Sequence, residues 1–147
     1  CFAGDESVES ADDVRTRDEI GQPSSGPKGW RKTVSRSFRM IEAARDAGAI
    51  CFVADNACVP VMVEWNKNVA ARLPAFPGLR GQLLESNGPE NYAHWARLLA
   101  EFPLPEASWL RPQQGAFELD EKYYECGGGI FATPAGYSGL FRGKQGR

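Results

Sequence analysis

The charge of the chain changes sign close to residue 28, and this change constrains the fold more than any other sequence feature. Residues 1–27 contain seven carboxylates against two arginines, and they end in a run rich in glycine, proline and serine over 21–27. Such a segment has too little apolar surface to offset the entropy lost on ordering. We therefore predict a flexible acidic arm and linker over 1–27, a single folded domain over 28–135, and a basic, glycine-rich tail over 136–147.

A basic amphipathic helix is predicted over 30–47, directly after the linker. Apolar side chains recur at helical spacing on its expected buried side, and Gly48 follows as a C-terminal signal. These apolar residues are Trp30, Val34, Phe38, Ile41 and Ala44. Basic side chains outnumber acidic ones at the other positions, so this helix is the expected contact surface for an acidic protein partner. The residues expected to make that contact are Arg31, Lys32, Arg36 and Arg39.

Short apolar and alternating segments predict four or five strands. The apolar run over 49–54 is typical of a buried strand, and the alternation over 60–64 predicts a second one that starts at a proline. Aromatic residues favour a third strand over 116–126. A glycine turn then leads to a return strand over 130–133.

Two helices are predicted between these strands. A short helix runs through 70–73 until a proline stops it, and a longer helix over 89–102 follows a polar cap. The longer helix carries one apolar stripe, formed by Tyr92, Trp95, Leu98, Leu99 and Phe102. The complete order of elements predicts an α+β fold, in which helices pack on one face of an antiparallel sheet.

The stretch from residue 49 to residue 73 resembles the opening of a PAS domain. An apolar strand ends there in Asp55, and a second strand runs into an aromatic–Asn step, Trp65-Asn66, before small residues and a leucine. The resemblance extends over about residues 33–135. It implies a PAS-like fold and a non-enzymatic sensory or protein-interaction module that binds a small ligand or pairs as a homodimer.

The resemblance also implies roles for individual residues. Asp55 and Asn66 would organise the turns on either side of the second strand. His94 lies on the helix from which the haem-binding branch of the family takes its ligand, although a structural histidine is the simpler interpretation. No cofactor is evident from the motifs. The expected ligand pocket is lined by Phe52, Trp65, Tyr92, Trp95 and Leu98.

Several classes of chemistry are not expected from the sequence. The chain has one histidine and lacks a Gly-x-Ser-x-Gly elbow, a Walker A motif and a Rossmann glycine pattern, so we do not predict an enzyme. Its four cysteines form no CxxC pair, which argues against zinc. A net charge of −2 gives no field that attracts nucleic acid, and no apolar run reaches the roughly 20 residues that span a bilayer.

Two other interpretations stay open at this stage. Cys1 would be the lipidated cysteine of a periplasmic lipoprotein or immunity-like inhibitor, with a Cys51–Cys58 or Cys1–Cys126 disulfide. Alternatively, the chain is a structural subunit of a larger assembly, with its acidic arm and basic tail lying over neighbouring subunits. Localisation follows from this choice: cytoplasmic for a PAS-like module, periplasmic for a lipoprotein.

Overall fold

The structure is a computed structural model of the chain. It describes residues 34–55 and 57–134, together with two short strands at 3–4 and 24–25. The predicted tail over 136–147, and the predicted arm apart from those two strands, lie outside the described residues.

The described residues after 33 belong to two compact units. The first contains residues 34–55 and 69–86, and the second contains residues 57–68 and 87–134. The single domain expected over 28–135 stays a prediction, because compact units of this size also occur within one domain.

Short helices dominate the described part of the chain, and none of them is long and apolar enough to cross a membrane. Two turns of 3-10 helix, at Ser108–Leu110 and Gly127–Gly129, accompany them. The helices are α1 (Val34–Asp46), α2 (Pro60–Ala70), α3 (Gly88–Asn91), α4 (Trp95–Ala100) and α5 (Glu121–Cys126), and the strands are β1 (Ala3–Gly4), β2 (Ser24–Ser25) and β3 (Ile50–Cys51).

Helix α1 confirms the helix predicted over 30–47 for the residues that the structure describes. Arg45 lies in its last turn, where a cation complements the helix dipole, and Gly48 follows in the left-handed conformation with φ of 72°. The apolar spacing placed Phe38 on the buried side, but the buried face is instead formed by Ser37, Met40, Ala43 and Ala44. The helix therefore turns a different side towards the core than the apolar spacing indicated, and Phe38 is exposed.

The three short strands form one sheet in the order β1-β2-β3 with parallel pairing throughout, and β3 follows α1 in the chain. Its third strand confirms part of the strand predicted over 49–54. Ala49 and Cys51 pack against the buried side of α1, so helix and strand share the core of the first unit. The mixture of helix and strand agrees with the predicted class. The predicted antiparallel sheet is not confirmed in the described residues.

The strand predicted over 60–64 is wrong, because these residues begin helix α2. Proline suits the first turn of a helix, where its missing N–H would have no partner, so Pro60 favours this outcome over the alternating pattern. The burial of Val63, Glu64, Asn66 and Lys67 follows helical spacing. The short helix predicted over 70–73 is a turn that ends α2.

The long helix predicted over 89–102 is divided into α3 and α4. The interruption lies at Tyr92, whose backbone is extended with φ of −121° and ψ of 108°. The predicted apolar stripe still reaches the core at its C-terminal end, where Leu99 and Phe102 are buried. Leu99 and Phe102 are therefore buried as the stripe predicted, although the helix that carries them is interrupted.

The strands predicted over 116–126 and 130–133 are also wrong. Asp120 caps helix α5 by accepting a 2.9 Å hydrogen bond from the backbone N–H of Tyr123. Gly127, with φ of 58°, ends the helix in the left-handed conformation. Cap chemistry at the two ends therefore outweighs the β-propensity of the aromatic residues between them.

Aromatic side chains form the core of the second unit. The rings of Trp109 and Tyr123 meet edge to face, with centroids 5.5 Å apart. Such pairs contribute about 0.5–1.5 kcal/mol beyond the burial of their area. Leu99, Phe102 and Leu110 complete this cluster.

Candidate functional site

Helix α2 carries a pair of opposite charges into the interior of the second unit. Glu64 and Lys67 are three residues apart, so both side chains leave the same side of the helix. Their side chains are 2% and 1% exposed, whereas ion pairs in proteins usually lie at the surface. The distance from Lys67 Nζ to Glu64 Oε1 is 2.6 Å.

The Lys67 ammonium makes three contacts. Besides Glu64, it donates a 2.6 Å hydrogen bond to the backbone carbonyl of Trp109, and it lies 3.8 Å from the centroid of the Phe117 ring. An ammonium has three N–H donors, and a cation above an aromatic face is attracted by the ring quadrupole. The cation is thus bound by α2, by the Ser108–Leu110 turn and by the segment before α5.

The carboxylate of Glu64 is less completely bound than the ammonium. Its Oε2 atom is buried and has no hydrogen-bond partner. Gly128 lies so close that a Cβ atom there would be 3.0 Å from Oε2 and 2.6 Å from the Tyr123 ring. Glycine is therefore required at 128 both by this approach and by its φ of 71°.

Burial and charge act in opposite directions on the two titrating groups. Burial raises the pKa of Glu64 to about 7, although the adjacent Lys67 charge and hydrogen bond act to lower it. Burial also lowers the pKa of Lys67, while Glu64 acts to raise it. Loss of hydration is the larger cause for both groups, so a carboxyl group that would be ionised in water titrates close to neutrality here.

The backbone around Glu64 is held by side chains from other elements. Its carbonyl accepts a 3.0 Å hydrogen bond from the Tyr123 hydroxyl and another of 3.0 Å from Asn68 Nδ2. Asn68 also donates to the carbonyl of Gly127 over 2.8 Å. These bonds fix α2 against α5 and the glycine turn, and they set the position of the charged pair.

The five expected pocket residues are all half-buried, and the pocket itself stays a prediction. Phe52 belongs to the first unit, whereas Trp65, Tyr92, Trp95 and Leu98 belong to the second. Of these, Tyr92 and Trp95 stack with ring centroids 6.2 Å apart, and the Tyr92 hydroxyl donates to the carbonyl of Ala57 over 2.6 Å.

Asp55 and Asn66, the two expected turn-organising residues, are both buried. Asn66 lies within α2 and not at its start, and its Nδ2 donates to Cys58 Sγ over 3.6 Å. Its Oδ1 atom is buried without a hydrogen-bond partner. The turn expected at Asn66 is therefore absent, since this residue lies inside a helix, whereas the turn role of Asp55 stays a prediction.

The expected partner face is only partly within the described residues. Arg31 and Lys32 lie outside them, whereas Arg36 and Arg39 are exposed on α1. Phe38, which the apolar spacing assigned to the core, is 45% exposed on the same helix.

Histidine and cysteine offer no metal centre in the part of the chain that the structure describes. His94 is exposed at the start of α4, and no group of three or more potential ligands occurs among the described residues. Cys51, Cys58 and Cys126 are not part of a disulfide in the structure, so neither disulfide expected for the lipoprotein alternative is observed.

The buried charged pair was missed in the sequence analysis. Its signal was present as Glu64-x-x-Lys67 within an apolar segment, which is the spacing of a helical ion pair. Because 60–64 was assigned to a strand, Glu64 and Lys67 were placed in different elements, and the helical spacing of the pair was not recognised.

No family model, curated protein or solved structure matches the chain. The function proposed below is therefore based on the arrangement of the chain's own residues.

Proposed function

We propose that the chain is a non-enzymatic protein-interaction module, of the sensory kind that the resemblance to PAS domains implies. Its contact surface is the solvent face of α1, and its partner is an acidic protein. The observation that carries this proposal is the exposure of Phe38 on a helix whose opposite side is buried in the core of the first unit.

Charged side chains surround this exposed aromatic residue. Arg39 and Arg45 are exposed, and Arg45 lies two turns after Phe38 on the same side of the helix. An aromatic residue together with arginines is the composition enriched at protein interfaces. The three arginines of α1 exceed its two carboxylates, Glu42 and Asp46, by one, and Asp46 pairs with Arg45 over 3.7 Å. We therefore expect an acidic partner that also supplies an apolar side chain for Phe38.

The buried pair in the second unit supports the non-enzymatic part of the proposal. All three contacts of the Lys67 ammonium lie within the protein, so none of its N–H groups is directed at a substrate. The resemblance to PAS domains enters this proposal only as a class of function, because the segments predicted to form three of its strands are helices and turns.

A defined acidic probe tests the partner surface. We would titrate the isotopically labelled full-length chain with a synthetic peptide of residues 5–19, which contains seven carboxylates and two arginines, and record amide chemical shifts. We expect the largest shifts over 34–46, and we expect binding to weaken as salt is added.

Charge reversal supplies the matched control for this titration. Arg39→Glu should abolish the shifts, whereas Arg80→Glu, at an exposed arginine in another part of the first unit, should reduce them only slightly. Equal binding by both variants, or shifts that avoid α1, would refute the proposed surface. Concentration-dependent dimerisation that Phe38→Ser abolishes would instead assign the face to a second copy of the chain.

A further inference from the structure

Both ends of one surface loop in the second unit contact the same buried cation. Trp109, whose carbonyl binds the Lys67 ammonium, directly precedes Leu110, and Phe117, whose ring covers the ammonium, directly follows residue 116. Residues 111–116 between them are exposed and are called the 111–116 loop here. Two hydrogen bonds between Gln113 and Ala116, of 2.7 and 3.0 Å, are the internal backbone bonds of the loop.

The strength of this anchoring depends on the charge of Glu64. A buried ammonium is stabilised by a carboxylate at 2.6 Å, and loss of that negative charge leaves a buried cation without a counter-ion. The cation then moves towards water or loses its proton. Either change weakens the bond to the Trp109 carbonyl and the contact with the Phe117 ring.

Oε2 of Glu64 is the atom that takes up the proton. Oε1 is occupied by Lys67, while Oε2 has no hydrogen-bond partner and lies against Gly128. Proton uptake forms an O–H bond at Oε2 with a proton supplied by solvent. It requires no other reactant.

Among the described residues, no charged group close to the pair apart from Lys67 acts on the protonation of the Glu64 carboxylate. From α2 itself the only charge acting on Glu64 is Lys67, and from α5 the Tyr123 hydroxyl reaches the backbone carbonyl of Glu64 and not its carboxylate. The Ser108–Leu110 and Gly127–Gly129 turns carry no titratable side chain. The neighbouring charged residues are exposed: Glu106, Arg111, Glu118, Asp120, Glu121, Lys122 and Glu125.

We infer that the Glu64–Lys67 pair is a proton-responsive device, in which a proton taken up by Glu64 loosens the 111–116 loop through Lys67. The inference is independent of the proposed partner surface, because it concerns only residues of the second unit. Its working range lies close to neutral pH, since burial raises the pKa of Glu64 to about 7.

Amide hydrogen exchange of the full-length chain tests this inference. Protection factors, corrected for the intrinsic effect of pH, would be measured at pH 8 and pH 5.5 for the amides of Gln113 and Ala116. We expect protection to fall about tenfold or more at the lower pH, because a charge-assisted hydrogen bond at the loop end is lost. Equal protection at both pH values would overturn the inference.

Two variants separate Glu64 from other carboxylates. Glu64→Gln should show a loose loop at both pH values, because it cannot ionise. Glu118→Gln, at an exposed carboxylate next to Phe117, should retain the wild-type response. A response that survives in Glu64→Gln would contradict the assignment.

A measurement on the wild-type chain covers the case in which Glu64→Gln does not fold. Side-chain carboxyl ¹³C shifts of the glutamates would be followed from pH 3 to pH 9. A glutamate that titrates near pH 7 and is assigned to Glu64 through its neighbours supports the device. If the assigned Glu64 signal titrates near its ordinary value of about 4.3, the inference is overturned.

Discussion

Helices α1 and α2 use their charged residues in opposite ways. Helix α1 carries three arginines and two acidic residues, and all five are exposed on its surface. Helix α2 carries only Glu64 and Lys67, and both are buried against other elements of the second unit. The helix with fewer charges therefore contains the charges whose environment is most unusual.

The difference shows that the number of charges does not indicate where charge is energetically important. On α1 the three arginines are exposed, so exchanging one of them changes stability little and mainly alters the field outside the protein. On α2 each charge has lost its hydration and depends on a few fixed partners, so removing one partner leaves the other without compensation. The following experiments test this contrast, beginning with the largest expected effect.

Replacing Lys67 by methionine should destabilise the fold more than replacing any charged residue of α1. The change leaves a buried carboxylate without its cation, and breaking a buried pair in this way costs about 3–5 kcal/mol. We expect this loss in denaturant unfolding at pH 8, compared with a change within about 0.5 kcal/mol for the exposed-site control Arg39→Met.

A double variant strengthens this test of the buried pair. Glu64→Met combined with Lys67→Met replaces both charges by apolar groups and should recover most of the stability lost in Lys67→Met. If Lys67→Met and Arg39→Met lower the free energy of unfolding by the same amount, the charges of α1 and α2 do not differ in their importance for stability.

The second largest effect is expected in the pH dependence of stability, and it should come from Glu64. Its pKa rises from 4.5 to about 7 on folding, so its contribution to stability is fully present below pH 4.5 and is lost as pH rises through 7. The expected loss between these limits is about 3 kcal/mol, from a cost of 1.36 kcal/mol for each pKa unit. Unfolding free energies of the wild-type chain and of Glu64→Gln, measured from pH 4.5 to pH 8, check this.

The sign of the difference is the decisive result. Wild-type stability should decrease relative to Glu64→Gln as pH rises, because only the wild-type chain must ionise a buried carboxyl group. A wild-type chain that gains stability relative to Glu64→Gln over the same range would show that the Lys67 charge, and not burial, dominates at Glu64.

A pair of glycines allows the surroundings of the two helices to be compared. Gly128 lies against the Glu64 carboxylate and the Tyr123 ring, whereas Gly48, after α1, has no atom within 4 Å of the position of a Cβ. Both have positive φ, so alanine costs about 1–2 kcal/mol at either site from the backbone alone. Only Gly128→Ala adds a steric overlap, and its thermal unfolding temperature should fall further than that of Gly48→Ala.

The sequence predicted α1 more successfully than α2 for a physical reason. In α1 the helical spacing, the cationic last turn and Gly48 all favour one structure, and Val34–Asp46 forms as expected. In α2 the alternation of apolar residues over 60–64 favoured a strand, while Pro60 favoured the first turn of a helix. The local signals conflicted, and tertiary contacts decided between them.

The candidate site depended on contacts that no local pattern contains. Lys67 meets the carbonyl of Trp109, which is 42 residues away, and Tyr123 meets the carbonyl of Glu64, which is 59 residues away. The core positions Leu99 and Phe102 were predictable from apolar spacing alone. The buried ion pair was not predictable in this way. To recognise it, Glu64 and Lys67 must first be assigned to the same helix.

The smallest effect on stability is expected at Phe38, which decides whether α1 is an interface. Phe38 is 45% exposed, so its replacement by serine removes about half of the burial of its side chain and should lower the free energy of unfolding by about 1 kcal/mol. The same replacement should weaken binding of the acidic peptide about tenfold, because aromatic residues provide much of the contact energy at interfaces. Calorimetric titration of Phe38→Ser beside denaturant unfolding measures both quantities on one sample. A large loss of stability would place Phe38 in the core of the first unit, and unchanged stability with unchanged binding would remove the aromatic residue from the proposed surface.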